Sequence, residues 1–209
     1  MNWLYSVGKL LSHCVFDGGF PGDAAGVEHI PRKGPFILAA NHTSFFDPPA
    51  IGRLVPREIC YFARKSLFKT GLIGSILSSV HAIPVDREGV ADIQAVKRVL
   101  HALRQGRGVL FFPEGTRSFD GNLCEPEPGI GMIACKSRVP VIPVRIYGSY
   151  KAYGRNMKVP DLNVPVSVAF GPPLSPDDFD PGRSAESRYQ EASRRIMDAI
   201  AAIPPPPPP

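Results

Sequence analysis

This 209-residue sequence contains no long hydrophobic run and no paired-cysteine motif. None of its apolar stretches reaches the roughly 18 residues that cross a bilayer as a helix, so the sequence predicts no spanning segment. Its four cysteines, Cys14, Cys60, Cys124 and Cys135, form no Cys-x-x-Cys pair, and no His stands at metal-ligand spacing from them. That spacing predicts neither a disulfide framework nor a metal site, and it suits a reducing, cytosolic environment. A secretory signal is not expected either, because no small-residue cleavage site follows a basic start. Nucleic-acid signatures that interleave aromatic and basic residues are missing. So is a Gly-x-Ser-x-Gly nucleophile elbow.

What remains has the composition of a globular protein, with 44% hydrophobic and 21% charged residues, long enough for one domain with a sizeable core. Six of its 24 prolines form the terminal run Pro204 to Pro209, a polyproline tail that cannot join a core. The net charge of +5 falls entirely within the first 118 residues. It is densest from Arg53 to Lys69, where Arg53, Arg57, Arg64, Lys65 and Lys69 face only Glu58. Such a stretch attracts polyanions, and without a nucleic-acid motif a membrane surface or a phosphorylated substrate leads. At the N-terminus, Trp3, Val7, Leu10, Leu11, Cys14 and Val15 fall at helical spacing, with Ser6, Lys9 and His13 off that face. A helix of this kind, spanning residues 1–19, either lies in a membrane interface or packs on its own domain.

From Phe20 to Gly34 the chain reads as Gly/Pro-rich connection. Strand-like runs then alternate with helical patterns. The strands are expected at Phe36 to Ala40, Ile59 to Ala63, Ala82 to Val85, Val109 to Phe112, Val141 to Tyr147 and Val166 to Phe170. Val90, Ile93, Val96, Val99, Leu100 and Leu103 mark an amphipathic helix, with weaker ones over Leu67 to Ser79 and Ile130 to Lys136. Tyr189, Ala192, Ile196, Ile200 and Ile203 mark a last one, with Ser184 as its N-cap. This alternation predicts an α/β fold in one domain, with a mainly parallel sheet covered by helices on both faces.

Two of the strands end in polar clusters: Asn41-His42-Thr43-Ser44-Phe45-Phe46-Asp47, and Phe112-Pro113-Glu114-Gly115-Thr116-Arg117-Ser118. Ligands of open α/β sheets bind at the carboxyl ends of strands. His42 and Asp47 are five residues apart, about 140° on a continuous helix, too far around to meet. Pro48 disfavours helix at Asp47 and suits the first helical position, so the helix is expected to start at Pro48. The carboxylate can then fold back onto one imidazole nitrogen and leave the other as a general base. Equally, Asp47 could be a helix cap and His42 a polar loop residue. In the second cluster, Gly115, Thr116, Arg117 and Ser118 combine a guanidinium fork, hydroxyls and backbone freedom, the means by which a phosphate dianion is bound. Arg87, after an earlier strand, would reach the same sheet edge.

NHTSFFDP resembles the first motif of the 1-acyl-sn-glycerol-3-phosphate acyltransferase family. Ala82-Ile83-Pro84-Val85-Asp86-Arg87 is similar to its second, FPEGTRS to its third, and Val139-Pro140-Val141-Ile142-Pro143-Val144 to its fourth, all in order. The resemblance implies an acyltransferase domain over residues 20–203. It implies that His42, supported by Asp47, deprotonates the sn-2 hydroxyl of a lysophospholipid, which attacks an acyl thioester on coenzyme A or acyl carrier protein, with no covalent acyl-enzyme. No separate cofactor is implied. Arg87, Gly115, Thr116 and Arg117 would bind the glycerol phosphate, with Asn41, Glu114, Ser118 and Lys65 in support; Glu114 also suits an ion pair to Arg117 or Arg87. The product would be phosphatidic acid, made by a peripheral enzyme at the cytoplasmic face of a membrane. One departure is Pro126-Glu127-Pro128-Gly129, where many members carry Phe-Lys-x-Gly, so Glu127 stands in place of a cation. Acyl transfer to another lysolipid or to glycerol 3-phosphate, a thioesterase, and a non-catalytic membrane-binding module are the alternatives.

Overall fold

A computed structural model of the chain describes residues 3–69, 71–85 and 92–207. Its strands are β1 (Ala24–Ala25), β2 (Phe36–Ala40), β3 (Ile59–Arg64), β4 (Ala82–Val85), β5 (Gly108–Phe111), β6 (Val141–Tyr147) and β7 (Ser167–Phe170). They form one sheet in the order β1-β7-β6-β2-β5-β3-β4. Every neighbouring pair is parallel except β6 and β7. The helices are α1 (Trp3–Gly19), α2 (Asp47–Leu54), α3 (Gly71–Ser79), α4 (Ile93–Arg104), α5 (Pro128–Ser137), α6 (Ser149–Tyr153), α7 (Pro176–Phe179) and α8 (Arg188–Ala201). This is the α/β architecture expected from the alternation of patterns.

β2 explains the layering. All five residues of Phe36-Ile37-Leu38-Ala39-Ala40 are buried, as in a parallel strand covered on both faces. Ile37 and Ala39 face a core built with Val99 and Leu103 of α4, Ile130 and Ile133 of α5, and Ile196 and Ile200 of α8. Phe36, Leu38 and Ala40 face a second core with Phe16 of α1 and Ala50 and Ile51 of α2. In register, Ala39 lies beside Phe111 of β5, and Ala40 beside Val144 of β6. The chain segments that follow β2, β5 and β6 therefore emerge side by side at one edge.

Several boundaries differ from the sequence reading. The segment after Phe20 is not plain connection: it contributes β1 and a 3-10 turn at Val27–His29. Leu67 to Ser79 divides into a 3-10 turn, Lys65–Lys69, and α3. α8 is capped by Ser187, not Ser184, and ends before Ile203, which leaves the helix although it keeps the spacing. α2 begins at Asp47, with Pro48 second, one residue earlier than Pro48 alone suggested. Arg87 and Val90 lie outside the described residues.

The N-terminal helix reverses a simple expectation. α1 packs on the domain through Tyr5 and Phe16, which are buried, while Trp3, Leu10 and Leu11 are 70%, 63% and 60% exposed. Lys9, off the apolar face in sequence, turns inward and donates to the Val55 carbonyl. The side that docks is thus the one with aromatic and polar groups, and the aliphatic stripe is left outside. Arg53 is not part of a surface patch either. It is buried, pairs with Asp17 and lies over the Phe16 ring.

Candidate active site

His42 and Asp47 meet. The Asp47 carboxylate is fully buried, and its Oδ2 accepts from His42 Nδ1 at 2.8 Å, from the Thr43 amide at 2.7 Å and from the Ser44 amide at 2.8 Å. The five-residue spacing closes because the chain between them is a tight loop whose amides wrap the carboxylate. Hydrogen bonds to a charged group contribute about 1.5–3 kcal/mol each, which offsets the burial of the charge. The His42 ring stacks on Phe112, the residue after β5, with centroids 4.0 Å apart and planes 18° apart. With Nδ1 on the carboxylate and the ring plane fixed, Nε2 is the nitrogen available to a substrate.

The second loop sits directly beneath the first. Glu114 is buried, and its Oε1 accepts from the His42 amide at 3.4 Å. Burial pushes its carboxyl up to about 7. No ion pair joins Glu114 to Arg117, the alternative partner Arg87 lies outside the described residues, and the carboxylate instead supports the His42 loop. Ser118 donates its amide proton to the His42 carbonyl at 2.8 Å, tying the two loops together a second time. Its hydroxyl donates to Asp120 and accepts from the Gly121 amide, so it stabilises its own loop and is not a phosphate donor as expected. Gly115 has φ +66, a conformation that favours glycine, while Thr116 stands exposed. The Arg117 guanidinium lies over the exposed Phe45 ring, 3.5 Å from its centroid.

A third element braces both loops, and nothing in the motifs announced it. In α6, Ser149 Oγ shares a 2.7 Å hydrogen bond with Thr43 Oγ1. The Tyr153 carbonyl accepts from Ser44 Oγ at 2.7 Å, and its ring packs on Phe46. Tyr150 donates to the Phe119 carbonyl at 2.8 Å. Asn41 is consumed in the same framework: its amide exchanges two hydrogen bonds with the Ile146 backbone, at 2.8 and 3.1 Å. It therefore holds β2 to β6 at the start of the His42 loop. Arg145 also escaped the sequence reading. Its charge acts on Glu114, and its Nη1 is buried without a hydrogen-bond partner. The available signal was a cation interrupting the apolar run of β6.

Beside the dyad opens a cavity of about 710 Å³, mostly apolar. His42, Phe45 and Arg117 line it, as do Pro48, Pro49 and Gly52 of α2 and Phe62 and Ala63 of β3. Tyr5 of α1 and Tyr61 of β3 line it as well; their hydroxyls share a hydrogen bond at 3.1 Å, and burial raises both phenols above their ordinary values. Gly52 is required there, since a Cβ would fall 2.2 Å from the Tyr61 hydroxyl. Lys65 is exposed on the neighbouring 3-10 turn and does not line the cavity, although Leu67 does. Glu127 is exposed, and its stem would touch a side chain at position 115. Among the described residues no cluster of three or more His, Cys, Asp or Glu comes together to hold a metal ion.

The fold matches the crystal structure of a 1-acyl-sn-glycerophosphate (LPA) acyltransferase, PlsC, from Thermotoga maritima, with TM-score 0.72 and 25% identity, over 95% of this chain and 76% of that one. A 1-acyl-sn-glycerol-3-phosphate acyltransferase of Limnanthes douglasii is 30% identical over 86% of this chain and 66% of its own length. One from Bacillus subtilis is 33% identical over 58% of this chain and 60% of its own. The chain thus spans about two-thirds or less of these two relatives. The Acyltransferase family model matches residues 23–147, which hold both loops and the strands that carry them, and the chain belongs to that family.

Proposed function

We propose that this chain moves a fatty acyl group from a thioester, acyl-coenzyme A or acyl carrier protein, to the sn-2 hydroxyl of 1-acyl-glycerol 3-phosphate, giving phosphatidic acid. The observation that carries this reading is the His42–Asp47 dyad at the wall of an apolar cavity whose lining also includes Arg117. His42 Nε2 takes the proton of the acceptor hydroxyl as its oxygen attacks the thioester carbonyl. The tetrahedral intermediate expels the thiolate, which takes the proton back from the imidazolium. Asp47 stabilises the transient imidazolium and holds its orientation. The cavity, within the size range of ligand pockets, shelters an acyl chain, and Arg117 draws the acceptor phosphate to the mouth. The thioester is a co-substrate, and no resident cofactor takes part.

A lysolipid resides in a bilayer, so the site must reach a membrane surface. The exposed stripe of α1, from Trp3 to Val15, supports peripheral attachment at the cytoplasmic face. No helix among the described residues is long and apolar enough to cross a membrane. The function is tested with a labelled acyl thioester in the presence and absence of lysophosphatidate. Phosphatidic acid should form only with the acceptor. Thioester consumption at the same rate without it would identify a thioesterase, and no consumption at all would leave a binding module.

A further inference from the structure

A second guanidinium stands at the same edge as Arg117. Arg155 follows α6 by two residues, and its side chain is exposed. It lies over the Phe119 ring, 4.1 Å from the centroid, and its Nη1 donates to the Arg117 carbonyl at 3.5 Å. The Arg155 side chain therefore reaches the backbone of Arg117, 38 residues away in sequence, and each of the two guanidiniums lies on the face of a phenyl ring, Phe119 for Arg155 and Phe45 for Arg117. Among the described residues no carboxylate pairs with Arg155. Asp120, beside Phe119 in the chain, is turned to Ser118 and Asn122. A guanidinium has five N–H donors, and a ring face plus one carbonyl leaves most of them for an anion.

The placement of Arg155 is built in. Gly154 forms a β-bridge with Ser44 of the catalytic loop, and Ser44 Oγ donates to the Tyr153 carbonyl. On the other side, Tyr150 holds the Phe119 carbonyl, and its ring presses so close to Gly121 that a Cβ there would lie 2.8 Å away. The segment carrying Arg155 is thus fastened to the loop that bears the base and to the loop that bears Arg117.

We infer that Arg155 is a second phosphate-binding residue of the acceptor site, acting with Arg117 to favour a phosphorylated glycerol over an uncharged one. The inference rests on the acyl-transfer reading above. A phosphomonoester carries close to two negative charges near neutral pH, and a single guanidinium balances only one of them. A second fork, presented from a different segment, completes the pair and fixes the headgroup relative to His42.

The test uses Arg155→Gln and Arg155→Lys in the full chain, both at an exposed position where folding can be checked by thermal melting. Turnover is followed with lysophosphatidate, with 1-acylglycerol that lacks the phosphate, and over a range of thioester concentrations. Arg155→Gln should raise the apparent KM for lysophosphatidate about tenfold, the effect of one lost charge-assisted contact. kcat and the thioester KM should move far less, and the preference for lysophosphatidate over 1-acylglycerol should fall by the same factor. Arg155→Lys should recover part of the loss. Glycerol 3-phosphate, used as a competitor, should show a matching rise in its inhibition constant. An unchanged acceptor KM overturns the inference. So does an equal rise in the thioester KM, which would assign Arg155 to phosphates of the donor. If the wild-type chain does not acylate lysophosphatidate, the acyl-transfer reading fails and the inference with it. If it does and the variant keeps the same KM, only the inference fails.

Discussion

The two loops leave adjacent strands at one sheet edge, yet they are held in opposite ways. Around His42 one buried carboxylate gathers the imidazole and two amides, and Phe112 fixes the ring plane. The loop ending at Ser118 is anchored at its two ends, by Glu114 and by the Ser118 amide, while Thr116 is exposed between them and Arg117 rests on a ring face. The difference follows from the two tasks. Proton transfer needs heavy atoms within hydrogen-bond reach, about 2.6–3.2 Å, so its groups must be pre-positioned. Attraction between a cation and an anion falls off slowly with distance, so an anion clamp tolerates looser pre-positioning than a general base.

If that contrast holds, damage to the rigid loop should appear in turnover. His42→Ala should lower kcat by at least about 10²-fold, the contribution of a general base, in a protein that melts cooperatively near the wild-type temperature. Asp47→Asn should be severe as well, because it removes the charge that supports the imidazolium. Near-normal kcat in a folded His42→Ala variant would refute the dyad.

Damage to the second loop should appear in binding instead. Arg117→Lys keeps the charge but loses the planar fork, so the acceptor KM should rise about tenfold while kcat and the thioester KM change little. A loss shared equally by both substrates would erase the distinction between the loops.

The anchor between them responds to pH. Glu114 is raised from 4.5 to about 7, so the folded protein holds its proton where the unfolded chain has released it. The stability this group contributes is fully present below about 4.5 and is lost as pH rises through about 7. Urea melts of the wild type and Glu114→Gln should therefore diverge, with the wild type losing up to about 3 kcal/mol relative to the variant between pH 4.5 and pH 8. Parallel pH profiles would show that folding leaves the Glu114 carboxyl at its ordinary value.

The smallest effect on chemistry should come from outside both loops. Leu10→Glu with Leu11→Glu alters the exposed stripe of α1, so sedimentation with anionic vesicles should weaken, while activity on a detergent-dispersed acceptor should stay within about twofold. Undiminished vesicle binding would place the membrane contact elsewhere.

Legibility in the sequence was uneven in an instructive way. α1 and α8 carry the same kind of amphipathic spacing, but Ala192, Ile196 and Ile200 of α8 are wholly buried, whereas the stripe of α1 faces outward. Periodicity reveals that a face is apolar, not what covers it. Likewise Asn41, Thr116 and Ser118 read alike as polar residues beside the site, although Asn41 and Ser118 are held by hydrogen bonds within the framework and Thr116 stands exposed. Arg145 and α6 were invisible because their significance depends on Glu114, Thr43 and Ser44, far away in the chain.

By itself, the sequence determined the mainly parallel sheet and the two strand-end loops, since each of these depends on residues only a few positions apart or on a repeating pattern, and it left open whether His42 meets Asp47. Only the tertiary structure decided which polar groups are taken up in the framework, that His42 meets Asp47, and where the cavity runs. Those outcomes depend on partners more than a hundred residues distant, such as Asn41 and Ile146, 105 apart, or Ser44 and Tyr153, 109 apart, and no local propensity records such pairings.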